Sequence, residues 1–345
     1  MSVIRVCRLA VVAVVLAGAV ALSTPSYACA CGAAITPPGG RASMNHEVAL
    51  AHWDGATETV LMQLAMDAAG DNVALVVPTP TPATVAAGDG ATFRELDALT
   101  APEVRHERRW SLGWGAGSAP REGAVAASGP AVVGQVQLGP LEATTLAGGD
   151  LAGLQKWLTD NGYAIRPAVL QAMDPYVRDR WSFVAMRLTS TAPLAGGLSP
   201  VRLTFQSTAL VYPMRLSIAA PGPQHVTVFT LCEHRQQRID ADARSQSTEI
   251  QFAGNIADAV RDSALRELVG NHGGYLTKTR VDIDQTSGIT SDFAFGNAPN
   301  DDPQREVRIV ADDVVIPVEA LVLTAVVLAA IAATLVVLRR RRSRA

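Results

Sequence analysis

Apolar and polar positions follow three different patterns along this chain. Most segments alternate or repeat at helical spacing, but two runs are uncharged and almost wholly apolar. Leu321 to Leu338, broken only by Thr324 and Thr334, stops against Arg339, Arg340, Arg341 and Arg342. At the helical rise those residues span about 27 Å, close to the roughly 30 Å of a bilayer's hydrocarbon. The pattern predicts a membrane anchor over 314–338. The arginines assign 339–345 to a basic cytoplasmic tail and put everything before it outside the cell. The second run, Leu9 to Leu22, follows Arg5 and Arg8 and precedes Ser26-Tyr27-Ala28. A basic start, an apolar stretch and small residues before the cut predict a secretory signal over 1–28. A lipoprotein signal is the rival, because Cys29 follows the cut. Ser26 and Tyr27 fit that reading poorly, and a lipid would duplicate the C-terminal anchor.

Between the two runs the periods are those of strands and helices. Val48, Leu50 and His52 share one face, as do Val60, Met62, Leu64 and Met66, and Asp54-Gly55 between them predicts a hairpin. Val73 to Val77 reads as a strand ending in the prolines at 78, 80 and 82, an extended and rigid exit. Phe93 to Leu99 reads as a short helix closed by Pro102, and Glu103 to Trp110 as a strand. Residues 113–130 carry mainly Gly, Ala and Ser and predict a surface loop. Gly113-Trp114-Gly115-Ala116-Gly117 in it lacks the spacing and the following helix of a phosphate loop. Strands are expected at Val132–Leu138, Leu141–Leu146, Trp181–Leu188, Val201–Phe205, Met214–Ile218, Val226–Leu231 and Tyr275–Ile283. Helices are expected from Leu151, capped by Asp150 and stopped by Asn161-Gly162, from Pro167 to Arg178, and from Ala257 to Val269. The sum is an α+β fold: a strand-rich antiparallel ectodomain over 29–287 with three or four helices, a linker over 288–313, and one transmembrane helix.

Charge narrows the partners. Setting aside Arg5, Arg8, the five terminal arginines and Glu319 leaves 22 basic and 31 acidic residues, a net charge near −9 outside the membrane. That balance argues against nucleic acid. The partners expected are the membrane itself, through the C-terminal helix, and a cell-wall component, envelope component or membrane protein.

The order of several short motifs resembles a known family. Cys29-Ala30-Cys31-Gly32, Val76-Val77-Pro78-Thr79-Pro80, the Phe93-x-Glu95-Leu96 helix reaching Thr100-Ala101-Pro102, and Leu158 to Tyr163 come first. Trp181-Ser182-Phe183-Val184-Ala185, Thr204-Phe205, Tyr212-Pro213-Met214-Arg215-Leu216 and Tyr275-Leu276-Thr277 follow. Together they resemble the bacterial secreted family called domain of unknown function 2330, over most of residues 29 to 285. The resemblance implies an extracytoplasmic domain, often tethered by a C-terminal helix, and no activity.

The candidate chemistry is sparse. Cys29, Cys31 and Cys232 remain after signal cleavage, and in an oxidising compartment a bridge from Cys29 or Cys31 to Cys232 is expected. It would close a loop of about 200 residues, stabilising by up to about 5 kcal/mol in the chain-entropy model. The alternative is a metal ion on Cys29, Cys31, Cys232 and His234, since Zn²⁺ and Cu⁺ accept sulfur and nitrogen together. Asp282, Asp284 and Asp292 space oxygen donors over a turn as a calcium loop does, with the glycine misplaced for an EF-hand and its closing glutamate absent. His272 sits in the Gly270–Gly274 loop and would need partners to act as a base. His46, His52, His106 and His225 read as strand residues. Trp53, Trp110, Trp114, Trp157 and Trp181 suggest a sugar platform or, for Trp157 and Trp181, core packing. No G-x-S-x-G or H-E-x-x-H occurs. The reading is a single-pass cell-surface binding or scaffolding module with no cofactor, and its rivals are metal handling and an envelope hydrolase with a dispersed site.

Overall fold

A computed structural model of the chain describes residues 32–37, 41–43, 46–64, 67–69, 72–113, 141–146, 148, 151–189 and 200–342. The expected signal, Cys29, Cys31, most of the Gly-rich loop, Trp114 and the strand expected at 132–138 lie outside them. The fold is α+β and rich in strands, and it forms two compact units: residues 1–101 with 135–305, and 102–134 with 306–345.

The first unit is built in four layers. One sheet of four strands runs β1 (Ala33–Ile35), β6 (Asn72–Thr79), β10 (Ser182–Thr189), β9 (Leu141–Leu146). The second has eight, in the order β18 (Gln304–Arg305), β15 (Ser247–Asn255), β16 (Tyr275–Ile283), β13 (Gln224–Cys232), β3 (His46–Trp53), β4 (Thr57–Leu64), β11 (Val201–Gln206), β7 (Thr84–Ala87). Leu75, Val77, Val184 and Met186 of the small sheet pack against Ala49, Ala51, Val60, Met62, Leu203 and Val228 of the large one. Alternation sends Ala74, Val76, Phe183 and Ala185 to the opposite face, onto helices α2 (Leu151–Asp160) and α3 (Pro167–Arg178). Leu50, Leu61, Phe229 and Leu231 likewise leave the large sheet's outer face to meet α1 (Gly90–Leu99) and α4 (Ser263–Val269). Each sheet is thus buried on both faces, which is why β6 and β10 read as near-continuous apolar runs.

Local chemistry sets the turns. In the β3–β4 hairpin the Asp54 carboxylate accepts from the backbone N–H groups of Ala56 (3.0 Å) and Thr57 (2.7 Å), and Gly55 takes φ 99°. Pro78 is tolerated inside β6 because β1 pairs only with 74–76, leaving Pro78 bonded to β10 alone.

Smaller groupings complete the described fold. A three-stranded sheet runs β12 (Leu210–Tyr212), β17 (Phe293–Asn297), β14 (Gln236–Arg238), and β2 (Arg41–Ser43) pairs with β5 (Asp67–Ala69). In the second unit, β8 (Glu103–Gly113) runs parallel to β19 (Val307–Pro317), which leads into α5 (Val318–Arg342). Within α5, Leu321–Arg340 is long and apolar enough to cross a membrane, with mean hydropathy 2.9 and none of it buried.

Three expectations change. Met214–Ile218 is not a strand: Arg215–Ala219 forms a 3-10 turn, because Asp292 captures the backbone N–H groups of Met214 and Arg215. The helix expected from Ala257 starts at Ser263, where Asp262 caps the Leu265 N–H and Glu95 takes the N–H groups of Arg261 and Asp262. Residues 288–313, expected as a linker, carry β17, β18 and the start of β19, with Phe293 fully buried.

Candidate functional site

The large sheet is antiparallel except at its centre, where β3 and β13 run parallel with Leu231 opposite His52. Their carboxyl ends therefore emerge side by side. The chain leaves β3 through Asp54-Gly55 and β13 through Glu233-His234, and the loop entering antiparallel β16, 271–274, reaches the same end. These three connections surround a cleft of about 350 Å³ lined by Trp53, Asp54, Cys232, Glu233, His234 and His272, with Gln236, Phe295 and Asn297 closing one side.

Hydrogen bonds tie the rim together. His272 Nδ1 donates to Glu233 Oε1 at 2.6 Å, and His234 Nδ1 donates to Asp301 Oδ2 at 2.8 Å. Asn271 donates to the second oxygen of Asp54 at 3.0 Å. The His272–Glu233 contact raises the imidazole's pKa and lowers the carboxyl's, and the His234–Asp301 contact does the same for its partners. Behind the rim, His52 is buried and donates from Nδ1 to the Leu231 carbonyl (2.8 Å), and its Nε2 has no partner. Burial holds its pKa below the usual imidazole value. His272 itself has φ 61°, a conformation uncommon outside glycine. Gly273 follows because a Cβ there would lie 2.5 Å from the Leu268 carbonyl oxygen.

Cys232 closes β13 at 6% exposure as a free thiol, and burial pushes its pKa up to about 12. No disulfide forms among the described residues, and Cys29 and Cys31 lie outside them. Cys232 and His234 do reach the same cleft, but the His234 ring is bonded to Asp301.

The three calcium candidates separate. Asp282 accepts from His225 Nδ1 (2.6 Å) and pairs with Arg280 (3.1 Å), while Asp284 is exposed. Asp292 accepts from Tyr176 Oη (2.5 Å), from the N–H groups of Met214 and Arg215, and from Arg215 Nε (2.7 Å). Among the described residues no three His, Cys, Asp or Glu side chains are arranged to hold a metal ion. Of the remaining histidines, His106 lies beside Asp312 and His46 is 6.4 Å from the His225 ring. Trp157 stacks on Tyr163 and Trp181 meets Tyr176, both half-buried against the core.

The strand-end residues Asp54 and Glu233 had no motif to announce them. A signal existed only in hindsight of topology: Asp54-Gly55 and Glu233-His234 each follow a strand, and the parallel pairing makes them neighbours.

A family model described as "Uncharacterized protein conserved in bacteria (DUF2330)" matches residues 25–296. The chain belongs to the DUF2330 family. No curated protein matches it. Among solved structures it is similar to baculovirus P35, with 7% identity and a TM-score of 0.33 over 77% of this chain and 97% of that one. A mutated baculovirus P35 after caspase cleavage gives 8% identity and a TM-score of 0.29 over 74% and 94% of the two chains. At those scores the likeness carries no argument about the DUF2330 chain. The cleft and the C-terminal helix carry it instead.

Proposed function

We propose that this DUF2330 chain is a non-enzymatic binding module of the bacterial cell envelope. In this reading residues 1–28 export it, α5 anchors it, and Arg339 to Arg342 stay on the cytoplasmic side. The ligand enters the cleft at the ends of β3 and β13. The supporting observation is the lining: Trp53 and Phe295 beside Asp54, Glu233, Gln236 and Asn297, a mixture of apolar surface and a few directed polar groups typical of ligand sites. The thiol in that lining is held protonated and argues for binding over covalent chemistry.

The test is a fragment screen by saturation-transfer NMR on the full chain in nanodiscs, repeated with Asn297→Trp to fill the cleft. Fragments lost in the variant support the reading, and hits indifferent to it would sink it. Orientation is tested separately by protease on intact spheroplasts: digestion of the large domain fits, and full protection reverses the topology.

A hydrolase is the second reading, favoured by one contact. His272 oriented by Glu233 at 2.6 Å has the form of a carboxylate-held general base. Turnover of chromogenic esters or glycosides that disappears in His272→Gln would move it to first place. Metal handling survives as a third reading only through Cys232 and His234 together with the terminal cysteines, and native mass of the full chain with and without zinc decides it.

A further inference from the structure

We propose that this cleft takes an organic ammonium group, as a free diamine or as a lysine side chain on a neighbouring protein, and that His272 is its built-in competitor for Glu233. The inference rests on the cleft being a binding site.

Charge comes first. Asp54 and Glu233 are permanent anions in the lining, and none of the lining residues is Lys or Arg. The only counter-charges there are His234 and His272, which exist only while protonated. An anionic ligand would meet two carboxylates, whereas a cation finds Glu233 to bind, the charge of Asp54 behind it and Trp53 and Phe295 in the same lining, the combination that favours organic ammonium ions over hydrated metal ions.

The second observation is that an imidazole, a cation whenever it is protonated, already sits on Glu233. The His272 ring reaches it at 2.6 Å from a left-handed backbone position in a loop bounded by Gly270, Gly273 and Gly274. It occupies the oxygen an ammonium ligand would use. The titratable groups facing this ring are Glu233 from the end of β13, Asp54 from the β3–β4 turn and His52 from β3, while His234 bears on Glu233 from the other side. As pH rises His272 loses its charge while Glu233 keeps its own, so the imidazole holds the carboxylate less strongly against an ammonium ligand. Binding should therefore strengthen from pH 5.5 to pH 8.

The experiment is calorimetric titration of the full chain in nanodiscs with cadaverine, 1,5-pentanediol and a Gly-Lys-Gly peptide at both pH values. Cadaverine is expected to bind at least about tenfold more tightly at pH 8, the factor that competition by an imidazole of ordinary pKa gives and that a raised one exceeds. His272→Gln should lose most of the difference between pH 5.5 and pH 8, keeping the part that His234 contributes, and Glu233→Gln should lose binding at both. Thermal melting of each variant guards against misfolding. Peptide binding tighter than cadaverine assigns the ammonium to a protein partner, and the reverse assigns it to a free amine. Equal binding of pentanediol, or a pH profile unchanged in His272→Gln, overturns the proposal. If the fragment screen still finds cleft ligands, that failure leaves the binding reading standing.

Discussion

Two carboxylate centres in the first unit use similar residues to opposite ends. Asp292 lies where α3 meets the 3-10 turn, bonded to a phenol, two backbone N–H groups and the Arg215 guanidinium, which also stacks 4.3 Å over the Tyr176 ring and pairs with Asp179. Its side chain is 10% exposed and that of Arg215 is 17% exposed. Glu233, at the cleft, has one imidazole, and both side chains are more than half exposed, 61% and 58%. The first arrangement immobilises a chain segment and leaves nothing for a ligand. The second holds a carboxylate with a partner that solvent and pH can remove. Number of partners and depth, not residue type, separate structural charge from available charge.

The largest effect that tests this contrast is Asp292→Ala. It leaves Arg215 with only its exposed partner Asp179, strands the Tyr176 hydroxyl and two backbone donors, and is expected to cost about 3–5 kcal/mol of unfolding free energy in urea. A loss below about 1 kcal/mol would erase the distinction. Tyr176→Phe is milder, removing one donor to Asp292 and one acceptor of the Arg215 N–H, for about 1–3 kcal/mol. A neutral result would mean that Arg215 alone holds the junction.

These expectations also mark what was legible. The hairpin at Asp54-Gly55, α3 from Pro167 to Arg178 and the alternation of β10 could be read directly, because a turn residue, a helix-starting proline and a period of two are local signals. The 3-10 turn could not: Met214, Leu216 and Ile218 alternate like a strand, and what overrides them is Asp292, 77 residues from Arg215. β15 escaped notice because a bulge between Ile250 and Phe252 breaks its alternation. At the site, Cys232, His234 and His272 stood out by residue type, but Glu233 became the partner of His272 only through the antiparallel pairing of β13 with β16, which sets Cys232 opposite Tyr275.

Between the two centres in character stands Glu58, fully buried on β4. One oxygen accepts from the Val211 N–H at 3.3 Å and the other has no partner. Burial raises its pKa well above the usual carboxyl range. A folded-state pKa above the unfolded one means the folded chain binds the extra proton, so stability falls as pH rises from the unfolded value to the folded one. Glu58→Gln should abolish that slope and gain about 1 kcal/mol over the natural chain at alkaline pH, read from urea midpoints across the range. Parallel pH profiles for the two chains would show that Glu58 is already ionised, with its charge met by some other group.

The smallest energetic effect belongs to the cleft pair, and it is the most informative. The raised pKa of His272 contributes stability that is complete below the unfolded imidazole value and lost as pH rises through the folded one. The depressed pKa of Glu233 contributes above its unfolded value and is lost as pH falls through the folded one. The pair therefore acts only in the window between the carboxyl's lowered pKa and the imidazole's raised one. Glu233→Gln should leave the melting temperature nearly unchanged while the His272 ring, followed by its Cε1 proton resonance, titrates at lower pH than in the natural chain. Asp54 still faces the ring in that variant, so the pKa should fall without losing all of its elevation. If the resonance titrates at the same pH in both chains, Glu233 is not what holds the proton, and the cleft's carboxylate is free at every pH. A large drop in melting temperature would instead make the pair a structural clasp like that of Asp292, and the division between the two centres would collapse.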